Sequence, residues 1–439
     1  MTKKLNRRSK QVRIESYGCT ANQGASEIMA GLLKNAGFEV EWGLGEADLF
    51  ILNTCIVKSA THSKMIRRIR KIRENAPSLP LIVAGCMPQV YSDEILTIAP
   101  NISLLGPHDL NSVVTIATSS LSGHRAGGIV DRGKKEIRLD LPRLRKNSLS
   151  AIVQIARGCQ SACSYCIVKK VMGGVHSYPQ EQIKKEITAA IRDGCREILL
   201  TAQDLGTYGV DVGTSLTKLL RNLLVELPSA IRIRLGMVNA GNLRDELDDL
   251  LRLVSLRPIY SMLHLPIQSG DDGVLQRMNR SYSASEIKSI FTRIREINPR
   301  MTLHTDVIVG FPGESEEGFK NTVDLIEWMQ PDVMNLSKFS PRPGTAAAEM
   351  KSLPSHIIKE RSKILANLRS SISFELNKRL IGEVFDVLTL KEHGNGKWFG
   401  RTDSYKPVVF EGSSTSLGDF TTVHVDGATR THLVGYQCF

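Results

Sequence analysis

The stretch "AIVQIARGCQSACSYC", residues 151–166, decides how this 439-residue chain is read. Its opening is a short apolar run of the kind that forms a buried strand. The rest places Cys159, Cys163 and Cys166 at the spacing C-x3-C-x2-C. Cysteine-built metal centres usually take four protein ligands, in zinc sites and in iron–sulfur clusters alike. The fourth is missing from this motif. His176 is the nearest other donor, ten residues on and past "MGG". Cys195 precedes the next apolar run, which sends it to the opposite end of a parallel sheet, and Cys438 falls in another part of the chain. A zinc ion would still need one of them. A cubane cluster would not, because three thiolates hold three irons and leave one iron open to a substrate or cofactor.

Downstream, apolar runs recur as "EILLTAQD", "IRIRLGMVN", "SMLHLPIQS", "TLHTDVIVG" and "VMNLSKFS". Amphipathic segments near 179–192, 214–227, 243–255, 284–297 and 315–329 separate them, and a longer one follows near 354–380. Six strand–helix units over residues 151–380 are two short of a closed (β/α)8 barrel. They predict an open, partial (βα)6 barrel with the cysteine loop at the end where barrel enzymes place their chemistry.

Upstream, residues 11–118 alternate "VRIESYGC", "DLFILNTC", "PLIVAGC" and "ISLLGP" with amphipathic stretches near 24–36, 57–73 and 91–98. This predicts a small doubly wound α/β domain with a parallel sheet. The first three runs each end in a cysteine: Cys19, Cys55 and Cys86. Ligands of open parallel sheets gather at the carboxyl ends of the strands. Three thiols in that one position can therefore converge on a shared metal site, although single buried thiols are also a common fate of free cysteine. Residues 119–150, Ser/Gly-rich and then basic, read as a linker.

Residues 381–439 change character again. "GEVFDVLTL", "KWFGRTD", "PVVFEG", "DFTTVHVDG" and "HLVGYQ" predict a small OB-like β-barrel. Trp398, Phe399, Arg401, Tyr405 and Lys406 offer the aromatic and basic mixture that suits single-stranded nucleic acid.

Composition limits the partners. The chain has 41% hydrophobic residues, no apolar run long enough to span a bilayer, and no apolar segment behind its basic start "MTKKLNRRSKQVR". A cytoplasmic protein without a membrane is expected, so its eight cysteines point to metal or catalysis rather than disulfides. The net charge of +12 favours a polyanionic partner. In "KMIRRIRKIR", residues 64–73, Lys64, Arg67, Arg68 and Lys71 share one helical face and Met65, Ile69 and Ile72 another. The basic face suits RNA backbone and equally an ordinary solvated helix.

The three-cysteine loop, with Tyr165 before its last cysteine and at the first strand of a partial barrel, resembles the radical S-adenosylmethionine enzymes. Within them, an N-terminal domain with three single cysteines and a C-terminal OB-like (TRAM) barrel resemble the tRNA methylthiotransferases. "YGCTANQGASE", "LNTC", "VAGCMPQ", "HLPIQSG", "VLQRMNR", "DVIVGFPGE" and "FSPRPGTAA" are similar to that family's signatures. The resemblance implies two [4Fe-4S] clusters, one on Cys159, Cys163 and Cys166 and one on Cys19, Cys55 and Cys86. It implies S-adenosylmethionine on the open iron of the first, cleaved to a radical that activates a C–H bond. The second cluster would carry the sulfur that becomes a methylthio group. Gln203 and Asp204 match the region that contacts the cofactor's methionine moiety. Tyr165, Arg234, Asn239, Gln268, Ser269 and Asp306 are further candidates to line that cavity, and "GFPGE" to wrap the adenine. Polar residues of this kind also cap helices and close strands.

"GCQSACSYCIVK", "SYP" at Ser177–Pro179 and "LTAQDLGTYG" resemble the archaeal and eukaryotic branch, whose substrate is N6-threonylcarbamoyladenosine at tRNA position 37, methylthiolated on carbon 2. The eukaryotic form commonly continues into a membrane anchor, so the chain's stop after the small barrel is expected of an archaeal-type soluble enzyme. Relatives act instead on isopentenyladenosine in tRNA or on a ribosomal-protein aspartate; outside the family, a zinc-stabilised RNA-binding protein would share the composition. The partner is expected to be an anticodon-loop adenosine of tRNA, while neither electron donor nor oligomeric state is encoded legibly. One departure stands out: Met172-Gly173 occupies the place of the family's usual Arg-Gly.

Overall fold

The structure is a computed structural model that describes residues 9–57, 59–127, 136–243 and 245–438. Its N-terminal strands are β1 (Gln11–Ser16), β2 (Glu39–Trp42), β3 (Leu49–Thr54), β4 (Leu81–Gly85) and β5 (Ser103–Leu105). They form one sheet in the order β2-β1-β3-β4-β5, with every pair parallel. β3 and β4 are buried at every position, as expected for strands covered on both faces. Their alternate residues go to two different cores. Ile51 and Ile82 pack with α1 (Thr20–Asn35) and α4 (Val113–Leu121), while Leu52 and Val83 pack with α2 (Ser59–Asn75) and α3 (Pro88–Ile98). β2 has no counterpart in the sequence reading because "EVEW" carries no apolar run; it is the sheet's half-exposed edge. α4 is a second addition and runs past residue 118.

The middle of the chain contributes β6 (Ser150–Gln154), β7 (Ala156–Arg157), α5 (Val168–Met172), β8 (His176–Ser177), α6 (Gln180–Arg192), β9 (Glu197–Thr201), α7 (Leu216–Glu226), β10 (Arg232–Leu235), α8 (Leu247–Leu253), β11 (Met262–His264), α9 (Asp272–Arg277), α10 (Ala284–Ile297), β12 (Thr302–Val309), α11 (Glu316–Met329), β13 (Val333–Lys338) and α12 (Ser355–Lys378). β6, β9 and β10 form one parallel sheet, β11, β12 and β13 another. Parallel bridges Ile233–Ile259 and Met237–His264 join the two. The six strands thus follow chain order, and among the described residues β6 and β13 do not pair, so the barrel is open.

β14 (Val384–Gly394), β15 (Lys397–Thr402), β16 (Pro407–Glu411), β17 (Phe420–Ala428) and β18 (Leu433–Gln437) close into a small barrel around Val387, Phe410, Val423 and Leu433. Its β15–β16 turn plugs the floor of the large barrel. The Asp403 carbonyl accepts the Ser261 N–H at 2.8 Å, its carboxylate pairs with buried Arg232 at 2.6 Å, and Lys406 Nζ lies 2.6 Å from Asp332. Tyr405 stands edge-on to Tyr260 at 4.8 Å. This corrects the nucleic-acid reading of the small barrel at two positions, since Tyr405 and Lys406 are spent on domain docking.

Residues 136–149 are strapped across both α/β bodies: Leu144 N–H donates to Glu27 O at 3.0 Å and Arg143 Nε to Glu186 at 2.7 Å. Residues 128–135 of the expected linker lie outside the described residues. No described helix is long and apolar enough to cross a membrane.

Candidate active site

Cys19, Cys55 and Cys86 follow β1, β3 and β4, three adjacent parallel strands held in register (Ser16–Asn53, Asn53–Ala84). The register brings the three carboxyl ends level. Cys19 sits at the N-cap of α1, exposed; Cys55 is buried; Cys86 is half-buried. Two amides tie the edge together. Asn22 donates to the Tyr17 carbonyl and to Thr54 O at 3.3 Å, and Asn53 Nδ2 donates to Asn22 O at 2.8 Å. Gly18, at φ +107°, lets the chain pass Cys55: a Cβ there would lie 2.6 Å from Cys55 Cβ and 2.9 Å from its Sγ. Burial pushes the Cys55 and Cys86 thiols upward, and for Cys86 the neighbouring Cys19 and Cys55 push the same way.

The second triad follows β7. Gly158 turns the chain at φ +76°, and its N–H donates to Gln203 Oε1 at 2.8 Å. A Cβ on Gly158 would overlap the Gly174 carbonyl at 1.8 Å, so only glycine fits this approach. Cys159 N–H then donates to Gly173 O at 3.2 Å, and Lys169 reaches the Cys159 carbonyl. Burial raises the Cys159 and Cys166 thiols, with further upward pushes from Cys163. Tyr165 packs edge-on to Phe311 at 6.2 Å, against Val274 and Met278.

The segment after α9 clamps this loop. Met278 O accepts the Ser164 N–H at 3.0 Å, Asn279 donates to Ala162 O at 2.7 Å, and Arg280 Nη1 donates to Cys163 Sγ at 3.2 Å. Arg280 also reaches Asn239 Oδ1 at 2.9 Å and the Tyr282 hydroxyl at 2.7 Å. The sequence reading quoted "VLQRMNR" as a signature and gave Arg280 no role; the signal was present, its direction was not.

The remaining candidates separate into two groups. Gln203 and Asn239 reach the cysteine loop directly, Asn239 donating to Ser161 Oγ at 3.0 Å. Asp204 is buried behind them, its carboxylate accepting the Asn239 and Gly206 N–H groups at 3.0 Å each and Asn242 Nδ2 at 2.7 Å. Burial raises its carboxyl while those hydrogen bonds pull it down. Arg234 and Asp306 point into the barrel lumen: Arg234 stands 5.8 Å from the Tyr405 ring, and Asp306 pairs with His264 at 3.2 Å and accepts from Asn335 at 2.8 Å. Gln268, at φ +68°, joins β11 to β12 through its backbone, and buried Ser269 meets Thr322 at 3.2 Å. "GFPGE" is pinned by Glu314, which accepts the Gly310 N–H at 2.9 Å and pairs with Arg361 at 2.7 Å.

What joins the two triads is apolar. Ile56, Met87 and Ile167, the residues directly after Cys55, Cys86 and Cys166, belong to one buried cluster, together with Val171 and the flank of Met172. Both thiol sites therefore face one domain junction. Among the described residues no three His, Cys, Asp or Glu side chains are close enough to hold a single metal ion. A cubane cluster asks for less, since each of its thiolates binds a different iron.

Three family models match the chain in succession: "Uncharacterized protein family UPF0004" over residues 11–106, "Radical SAM superfamily" over 153–326 and "TRAM domain" over 378–435. The chain is 38% identical to the probable threonylcarbamoyladenosine tRNA methylthiotransferase of Pyrococcus abyssi over 97% of this chain and 99% of that one. It belongs to the threonylcarbamoyladenosine tRNA methylthiotransferase family. The human family member is 33% identical over 94% of this chain and 71% of its own length. Among solved structures, the fold is similar to the radical S-adenosylmethionine methyltransferase TsrM of Kitasatospora setae, with a TM-score of 0.54 and 13% identity over 88% of this chain and 79% of that one. Met172 has an identifiable place: its flank packs at the junction of the two α/β bodies, where an apolar side chain belongs.

Proposed function

We propose that this protein methylthiolates carbon 2 of N6-threonylcarbamoyladenosine at position 37 of tRNA, in the cytoplasm. The observation that carries the reading is the pair of cysteine triads, on two separate sheets, meeting at one apolar junction. Cys159, Cys163 and Cys166 would hold one [4Fe-4S] cluster, with S-adenosylmethionine at its open iron, and Cys19, Cys55 and Cys86 the second. When bound, these groups supply the one-electron chemistry and the methylthio group. The chain supplies position and shelter. Arg280 holds the Cys163 sulfur, Gln203 fixes the turn at Gly158, and Asp204 carries the Asn239 end of β10 to the cysteine loop. Tyr165 and Phe311 close one side against water. The substrate class follows the family to which the chain belongs, and its +12 charge suits a phosphate-rich partner. The reaction site lies within the protein, so a splayed loop nucleotide fits it better than a paired one.

The test is anaerobic reconstitution followed by nucleoside mass spectrometry of tRNA carrying N6-threonylcarbamoyladenosine. About eight irons per chain and the methylthio derivative of that nucleoside are expected. Product only from isopentenyladenosine tRNA, or only on a ribosomal-protein aspartate, would refute the substrate. Zinc in place of iron, without a brown chromophore, would refute the enzyme.

A further inference from the structure

The barrel lumen holds a charge that the chain does not balance. Arg234 lies on β10, whose carboxyl end leads to Asn239 at the cysteine loop, at most about 17 Å of chain away. Its Nε is buried and has no hydrogen-bond partner. Among the described residues, no hydrogen bond or ion pair reaches the guanidinium; its neighbour is the Tyr405 ring, 5.8 Å away. The acids nearby are engaged elsewhere. Asp306 is held by His264 and Asn335, Glu197 by Ser150 and Tyr260, and Asp332 by Lys406. His304, edge-on to His264 and tilted against Tyr405, is held well below the usual histidine range by burial and so stays uncharged. Arg234 is half-buried, so an anion that entered the lumen would meet a guanidinium partly shielded from water and not already paired with a carboxylate.

We propose that the lumen is the specificity pocket for the substituent on the substrate base, with Arg234 taking its carboxylate. This rests on the substrate named under Proposed function. Among modified adenines, the threonylcarbamoyl group is polar throughout and ends in a carboxylate and a hydroxyl. The isopentenyl group is a hydrocarbon and would leave Arg234 unpaired. The substituent is carried on carbon 6, across N1 from carbon 2, so a base that turns carbon 2 to the reaction site brings its long polar substituent alongside, toward the lumen. Arg234 offers two parallel N–H groups for bidentate carboxylate binding. A site built to pair a polar group rejects the analogue that lacks it far more strongly than an apolar pocket rejects an extra group.

The experiment compares two anticodon stem–loops on the reconstituted full chain, one carrying N6-threonylcarbamoyladenosine and one carrying its threonine methyl ester. The wild-type protein is expected to favour the acid at least tenfold in kcat/KM, and this arm needs no variant. Arg234→Leu should raise KM for the acid at least tenfold and bring the acid-to-ester ratio close to one, with Arg234→Lys between. Equal use of acid and ester by the wild type overturns the proposal. So does an equal loss on both stem–loops in the variant, which would place Arg234 on the cofactor. Methylthio product from neither stem–loop, with isopentenyl RNA modified instead, removes the substrate reading itself and this pocket with it.

Discussion

The Arg280 guanidinium and the Cys163 sulfur stand 3.2 Å apart although 117 positions separate them in the chain. Hydrogen bonds and net charge around cluster sulfurs set the reduction potential. A hydrogen bond to a charged group is worth roughly 1.5–3 kcal/mol. Arg280→Ala should therefore lower the potential of the neighbouring cluster by at least about 59 mV, the one-electron equivalent of a tenfold change. A redox titration followed by EPR checks this; an unmoved potential would show that Arg280 only holds the loop.

Each triad is expected to hold its iron independently. Cys86→Ala and Cys163→Ala should each reduce iron from about eight to about four per chain, and the double variant to near zero. Iron analysis after reconstitution decides, and complete loss in either single variant would mean that one site depends on the other.

The apolar junction should reject charge. Val171 is fully buried there, so Val171→Asp strands a carboxylate at a cost of at least about 3 kcal/mol. Met172→Arg should cost less, about 1 kcal/mol, because a long side chain at a half-buried position can carry its charge outward. Urea unfolding of both variants gives the comparison, and the reverse order would place Met172 deeper than Val171.

The small barrel should be fastened by the Lys406–Asp332 pair, whose side chains are 9% and 10% exposed. Lys406→Ala leaves Asp332 without its cation and should cost about 3–5 kcal/mol. Adding Asp332→Leu should recover most of that loss. Calorimetry reads both, and an additive double variant would deny the coupling.

His304 gives the molecule an acid-sensitive point. Burial, then His264 and Arg234, lower it from the usual 6.5 to about 3. The unfolded chain takes up a proton below about pH 6.5 that the folded chain refuses until about pH 3, so this stability is lost as pH falls through that window. The slope should be about 1.4 kcal/mol per pH unit. His304→Gln should flatten the acid limb of stability against pH by one proton; an unchanged limb would locate the sensitivity elsewhere.

How much of this was legible in the sequence depends on how far a residue acts. Cys19, Cys55 and Cys86 could be grouped because strand alternation and parallel order are local patterns, and the register then levels their ends. β2 escaped because "EVEW" is too short and too polar to show a period. Lys406 looked like an RNA contact because composition records its charge and not Asp332, its partner from another domain. Arg280 and Arg234 were legible as residues only. What each side chain meets is set by strand order and by the way the small barrel docks, and neither is encoded near them.

The cluster of Ile56, Met87 and Ile167 has a mechanical consequence. It welds the two α/β bodies at the very point where their thiol sites meet, so the gap between those sites behaves as a gauge of fixed width rather than a jaw. On the proposed function, an RNA would have to bring a nucleotide already slender enough to enter. Selection among RNAs would then begin with how readily a loop unstacks, before any atom of its modified base is read.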